Sequence, residues 1–253
     1  MDFSANLGML WANLPLPDAI RRAKAAGFAA VECHWPYPED AGAVRDALME
    51  TGLPMLGINT RKGDAGEFGL CAVPGRESGA RASIDEALGY AAQIGAQAVH
   101  VMAGKAQGAA AREVFLGNLR YGLHAARELG ITLLIEPLNV YDAPGYFLRS
   151  TDQAARIIEE VGDAHLRLMF DCYHVQITEG DVSRRLTRLL PHIGHVQIAA
   201  VPDRGAPDHG ELDYAHVLRH LAGLGWTRPV GAEYRPEGAT EESLGWMDKL
   251  KAS

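Results

Sequence analysis

The chain has 253 residues, of which 47% are hydrophobic and 22% charged, and its formal net charge is −8. That length suits one large domain with a sizeable core, and the acidic balance argues against a general nucleic-acid binder, which needs clustered Lys and Arg against phosphate. Three widely spaced cysteines, Cys33, Cys71 and Cys172, form no CxxC, so neither a disulfide framework nor a zinc–thiolate site is expected.

The opening MDFSANLGML lacks a basic segment followed by an apolar one, and no apolar run reaches membrane-spanning length, so the cytoplasm is the expected setting. The first strand-like segment, 3-FSANLGML-10, is less apolar than those that follow. Residues 17–26 begin with Pro-Asp and stop before Gly27, the start and stop of a helix. Short apolar runs then recur at 28-FAAVECHW-35, 53-LPMLGINT-60, 97-QAVHVMAG-104, 131-ITLLIEPLN-139, 166-LRLMFDCYH-174, 193-IGHVQIAA-200 and 229-PVGAEY-234. Continuous apolar runs mark strands buried on both faces. Between them, apolar spacing of three and four predicts helices over 80–94, 109–129, 151–161, 182–190, 214–223 and 240–251, with Gly95, Gly130, Gly162 and Gly225 marking helix ends.

Strand and helix in alternation imply a parallel sheet. Eight strands, with no GxGxxG after the first, favour a closed (β/α)8 TIM barrel over an open doubly wound sheet. With no linker or low-complexity tract, residues 1–253 are expected to form a single domain. The Gly-rich polar stretch 61-RKGDAGEFGLCAVPGRESG-79 follows the third strand. A loop of that length on the active face of a barrel is read as a lid.

The late strands carry the candidate chemistry. Glu136 ends the fifth, Asp171 the sixth, Gln197 lies in the seventh and Glu233 in the eighth, each embedded in apolar sequence. A salt bridge to a core cation would explain any one of them alone. Three carboxylates converging on one barrel mouth repel, and a divalent cation is one of few ways to hold them together. Three carboxylates and an amide oxygen are hard donors, suited to Mg²⁺ or Mn²⁺ rather than zinc.

His174, three residues past Asp171, lies on the same face as a candidate substrate contact. His195 precedes Gln197 by two and shares its direction, either supporting the site or packing in the core. His100, inside the fourth strand, is a weaker candidate. Arg204, in 201-VPDRG-205, offers a fork for a substrate carboxylate, and Arg76, in 73-VPGRE-77, is a similar candidate from the lid. Glu211 either orients Arg204 or His174 or starts the next helix.

With these residues in view, the sequence resembles the hydroxypyruvate isomerase family, within the wider xylose isomerase-like barrels. The resemblance covers nearly the whole chain and rests on 59-NTRKGDAGEFGLCAVPGRE-77, 135-IEPLNVYDAPGYFL-148, 170-FDCYHVQ-176, 195-HVQIAAVPDRGAPDHGELDY-214 and 231-GAEYRPEGATEESLGWM-247. Gln197 is informative, because the related ketose 3-epimerases usually place a His there.

The resemblance implies that Glu136, Asp171, Gln197 and Glu233 bind one divalent metal, with Glu136 and Glu233 also the proton donor and acceptor. It implies that His174 and Arg204 contact substrate. The implied reaction interconverts hydroxypyruvate and tartronate semialdehyde through an enediolate, with a small anionic hydroxy-oxo acid as substrate. Ala200 and Ala206 stand where the family commonly has acidic residues, and Tyr141 where many members carry Arg. Tyr141 thereby becomes a candidate substrate contact, and a 2-oxo-tetronate becomes an alternative substrate. Three further readings are a ketose 3-epimerase, a multi-zinc nuclease of the same superfamily and a sugar-acid-binding protein with a structural metal. No nucleic-acid or membrane partner is expected, and homo-oligomerisation is left open.

Overall fold

The fold is seen in a computed structural model that describes residues 1–251. Eight strands, β1 (Phe3–Asn6), β2 (Ala30–Glu32), β3 (Ile58–Asn59), β4 (Ala98–His100), β5 (Thr132–Ile135), β6 (Leu166–Asp171), β7 (Ile193–Ile198) and β8 (Val230–Ala232), form one parallel sheet in the order β2-β1-β8-β7-β6-β5-β4-β3. The run leading into β3 joins the two edges. Val31 and Met55 form a parallel bridge, and Leu56 N donates to Val31 O at 2.7 Å. The expected eight-stranded (β/α) barrel is therefore observed, nearly closed.

Helices follow the strands: α1 (Leu16–Ala25), α2 (Ala41–Thr51), α3 (Glu77–Ile94), α4 (Gly108–Leu129), α5 (Thr151–Val161), α6 (Cys172–Thr178), α7 (Val182–Leu189), α8 (Tyr214–Gly223) and α9 (Trp246–Lys251). Each long helix turns an apolar stripe toward the strands, as Leu16, Ala19, Ile20 and Ala23 of α1 do. None of the described helices is long and apolar enough to cross a membrane.

Two readings of the sequence are corrected. The helix α2 is absent from the sequence reading, although Asp40 caps it by accepting from Ala43 N at 2.8 Å and Val44, Ala47, Leu48 and Thr51 give it a buried stripe at helical spacing; the apolar but exposed Met49 lies off that stripe and blurs the pattern. Although the apolar run continues to His174, the sixth strand ends at Asp171, as expected. There Asp171 Oδ1 accepts from Tyr173 N at 2.9 Å and caps α6. The segment 240–251 divides into a 3₁₀ turn over Thr240–Ser243 and the helix α9.

The stretch 61–79 is anchored over part of its length. Ala72 N donates to Ala103 O at 2.6 Å, Asn118 Nδ2 donates to Cys71 O at 2.9 Å, and α3 already begins at Glu77. At Gly69 the backbone has φ 99°, and a Cβ there would lie 2.3 Å from Met102 O, so only glycine permits this close approach. The part that faces the barrel mouth is its start, with Lys62 and Phe68.

The core has two parts. A large apolar cluster fills the space between strands and helices, while Ala98, Leu134 and Met169 form a separate small cluster. Two residues further along each of those strands stand His100, Glu136 and Asp171, all buried. With a period of two along a strand, these share the face of the small cluster. The barrel interior thus changes from apolar to polar toward the carboxyl ends of its strands, where barrel enzymes hold their sites.

Candidate active site at the barrel mouth

A cleft of about 470 Å³ opens at this end, a size suited to a small ligand. Glu136, His100, His174, Arg204, Glu233 and Tyr141 line it, among others. Glu136, Asp171 and His174 each offer a donor atom within 4.8 Å of one another, a buried group that could hold a metal ion.

The hydrogen bonds divide the four expected ligands into two kinds. Glu136 Oε1, Asp171 Oδ2 and Gln197 Oε1 are buried oxygens with no hydrogen-bond partner among the described residues. Leaving such groups bare is costly, and oxygen atoms of this kind could serve as ligands to a metal ion. In Asp171 the helix cap occupies Oδ1 and leaves Oδ2 bare. Glu233 differs: Oε1 accepts from Asn6 Nδ2 at 3.1 Å and lies 2.6 Å from His34 Nε2, while Oε2 accepts from Arg204 Nη2 at 2.9 Å. A second, small void of about 20 Å³ touches Glu136, Gln197 and Glu233.

Arg204 is the cation at this junction. Its Nη2 also lies 3.7 Å from Asp171 Oδ2, its Nη1 lies 3.3 Å from Asp142 Oδ2, and its guanidinium sits 4.9 Å from the centre of the Tyr173 ring. The residue has a left-handed backbone, φ 59°, held by Arg204 N donating to Ala200 O at 2.9 Å and Arg235 N donating to Arg204 O at 2.8 Å. A non-glycine residue in that conformation is strained, and such strain clusters at functional sites.

Electrostatics separates the carboxylates. Burial, then the neighbouring Glu233 and Asp171, raises Glu136 well above the usual carboxyl range. Burial likewise pushes Asp171 up to about 7 despite Arg204. Burial opposes ionisation of Glu233 too, but Arg204 and His34 outweigh it and hold that carboxyl well below the usual range. Burial lowers His100 to about 4, and burial with Arg204 beside it lowers His174 well below the ordinary imidazole value. His174 Nδ1 accepts from Asn139 N at 3.2 Å, which leaves Nε2 facing Asp171 Oδ2 at 3.7 Å.

The remaining sequence candidates fall in different places. His100 Nδ1 lies 3.6 Å from Glu136 Oε2, and Tyr141, 82% exposed, stands at the rim. His195 shares the interior with Gln197 and binds Glu32 through Nε2. Arg76 and Glu211 do not line the cleft. Arg76 precedes α3 and donates to Glu67 Oε1 at 2.7 Å, while Glu211 is exposed in the turn whose backbone N bonds Val201 O. One side chain is turned to a loop partner, the other to solvent.

Sequence reading missed Glu32, His34, Asn6 and Lys62. Glu32 carried the same signal as Glu136, an acid inside the apolar run FAAVECHW, but on an early strand.

Comparison with known proteins agrees with the fold and the motifs. The family described as xylose isomerase-like TIM barrel matches residues 20–250. The 2-oxo-tetronate isomerase of Cupriavidus necator is 45% identical over 97% of this chain and 96% of its own. The hydroxypyruvate isomerase of Escherichia coli is 35% identical over 98% of this chain and 99% of its own. A Brucella melitensis crystal structure titled AP endonuclease, family 2, is 37% identical with a TM-score of 0.94, covering 98% of both chains. The chain belongs to the hydroxypyruvate isomerase family of xylose isomerase-like TIM barrels.

Proposed function

We propose that this protein is an intramolecular oxidoreductase of small hydroxy-oxo acids, interconverting hydroxypyruvate and tartronate semialdehyde by moving one proton between adjacent carbons. The observation that carries the reading is the trio of bare buried oxygens, Glu136 Oε1, Asp171 Oδ2 and Gln197 Oε1. They would hold one divalent ion, Mg²⁺ or Mn²⁺, with Glu233 completing the set once Arg204 releases it. When bound, such an ion supplies Lewis-acid stabilisation of the negative charge that develops on the substrate oxygens.

The chain's own residues do the rest. Glu136 and Glu233 stand in environments that push their proton affinities apart, Glu136 up and Glu233 down. That contrast suits a pair in which one carboxyl carries a proton while the other accepts one. A proton leaves one carbon to a glutamate, an enediolate forms, and a proton returns to the neighbouring carbon. His174 and His100, kept neutral by burial, serve as hydrogen-bonding groups to the substrate oxygens.

The substrate carboxylate has three cations to meet. Arg204 is engaged with Glu233 and Asp142. Lys62 and Arg235 line the same cleft and have no ion-pair partner among the described residues. Cations at the rim and carboxyls on the floor suit a substrate with an acid at one end and a hydroxy-ketone at the other.

A 2-oxo-tetronate is the second reading, favoured by the 45% identity to the Cupriavidus necator protein of that name. The chain is further proposed to act as one domain in the cytoplasm, in keeping with three free, buried cysteines, without a nucleic-acid partner. Turnover of hydroxypyruvate and 2-oxo-tetronates with added Mg²⁺ or Mn²⁺ tests the reading. Glu136→Gln and Glu233→Gln should each lower kcat by at least ~10²-fold while the fold survives, and near-wild-type kcat in either would remove the two-glutamate scheme.

A further inference from the structure

Beside the bare oxygens lies a fourth buried carboxylate, which the proposed reaction does not use. Glu32, at the end of β2, is 4% exposed. Its Oε1 accepts from Asn6 Nδ2 at 3.0 Å and from Gln197 Nε2 at 2.8 Å. Its Oε2 accepts from Ser4 Oγ at 3.3 Å and faces His195 Nε2. All four neighbours reach it through a donor group, so the network around Glu32 is satisfied on every side.

We propose that Glu32 is a positioning residue for the metal: by accepting the Nε2–H of Gln197, it turns that side chain's carbonyl oxygen toward the void shared with Glu136 and Glu233. The inference rests on the metal reading above. A glutamine has two nearly isosteric ends, of which only the oxygen can ligate a cation. A carboxylate accepts and does not donate, so it selects the amide nitrogen and leaves the oxygen for the other side. That oxygen is the one found buried without a partner. Such outer partners orient metal ligands generally, and their loss weakens metal affinity about 10–100-fold.

The strand packing makes room for the contact. Gln197 pairs in register with Gly231 of β8. A Cβ at Gly231 would lie 2.7 Å from Glu32 Oε1 and 2.8 Å from Gln197 Cγ. The absence of a side chain at 231 is what admits both groups. Asn6 extends the same device. Its Oδ1 accepts from Gly8 N at 3.0 Å, so its Nδ2 is the end that reaches both Glu32 and Glu233.

The test is Mn²⁺ binding to the chelator-treated full chain, read by the electron paramagnetic resonance of free Mn²⁺, with metal-free thermal melts in parallel. Glu32→Asp keeps the charge but withdraws the carboxylate by one methylene. Glu32→Gln removes the acceptor bias. Glu32→Gln/Gln197→Glu exchanges the two groups, giving position 197 a carboxylate that needs no orientation. Both single variants should bind Mn²⁺ about tenfold or more weakly, and the exchange should return to within about threefold of wild type. If Glu32→Gln does not fold, the Asp variant and the exchange decide. Wild-type affinity in Glu32→Asp would reduce Glu32 to a charge and overturn the proposal. So would an exchange variant that folds but binds no better than the single variants. A wild-type chain that binds neither Mn²⁺ nor Mg²⁺ would overturn the metal reading as well, which separates the two failures.

Discussion

Arg204 and Glu233 form a buried ion pair at the barrel mouth, with Nη2 2.9 Å from Oε2. The pair places a protein cation among carboxylates that are expected to share a metal, so arginine and metal serve the same electrostatic need. Removing the arginine leaves Glu233 without its main counter-charge. Arg204→Ala should therefore destabilise the metal-free chain by about 3–5 kcal/mol. Urea unfolding in chelator measures this, and Mg²⁺ or Mn²⁺ should recover more stability in the variant than in wild type.

Asp171 makes the complementary prediction in pH. Its carboxyl is raised by burial to about 7 in the folded chain, against about 3.9 when unfolded. A raised carboxyl favours folding while protonated, so that contribution is complete below about pH 4 and is lost as pH rises toward 7. Asp171→Asn cannot ionise and escapes the loss. In chelator, the stability of Asp171→Asn relative to wild type should rise between about pH 4 and 7. A flat difference across that window would contradict the assignment.

The packing of β8 on the polar interior can be tested without touching a polar group. Gly231→Ala drives a methyl into Glu32 and Gln197. Overpacking of this kind costs about 1–3 kcal/mol. Denaturant unfolding should show that loss, with weaker Mn²⁺ binding beside it.

Substrate class hangs on the cations of the cleft. Lys62 and Arg235 line it without an ion-pair partner among the described residues. A charged hydrogen bond is worth about 1.5–3 kcal/mol, so Lys62→Ala or Arg235→Ala should raise KM for carboxylated substrates about tenfold or more. Activity toward neutral ketoses should be unmoved by either change. Equal effects on both substrate classes would contradict a role for these cations in selecting carboxylated substrates.

Much of this was legible in the sequence for a physical reason. Parallel strands buried on both faces are continuous apolar runs, so an acid such as Glu136 or Asp171 inside one stands out and marks its own position. The same contrast was present at Glu32, but nothing local says that β2 runs beside β1 and faces β7 across the barrel. The hydrogen bonds that give Glu32 its meaning span up to 165 residues of chain. Arg204 was legible as a cation near the site, while its partner was not, since Glu233 lies on the next strand and the left-handed turn that aims Arg204 has no single-residue signature. Arg76 and Glu211 were drawn in by nearness to motifs, and where their loops aim them is set by contacts no local pattern shows, such as the bond from Arg76 to Glu67. The helix α2 was hidden because apolar residues outside its buried stripe, such as the exposed Met49, blur the periodic contrast.

Proton transfer between neighbouring carbons is the central claim, and solvent isotope reports on it most directly. Hydroxypyruvate and a 2-oxo-tetronate, each incubated in D₂O with the chain and Mn²⁺ or Mg²⁺, can be followed by nuclear magnetic resonance after removal of the metal. The account predicts isomerised product carrying deuterium at the carbon that received the proton, with the label absent in Glu136→Gln and Glu233→Gln. Product formed without deuterium, or no product from either acid, would contradict it.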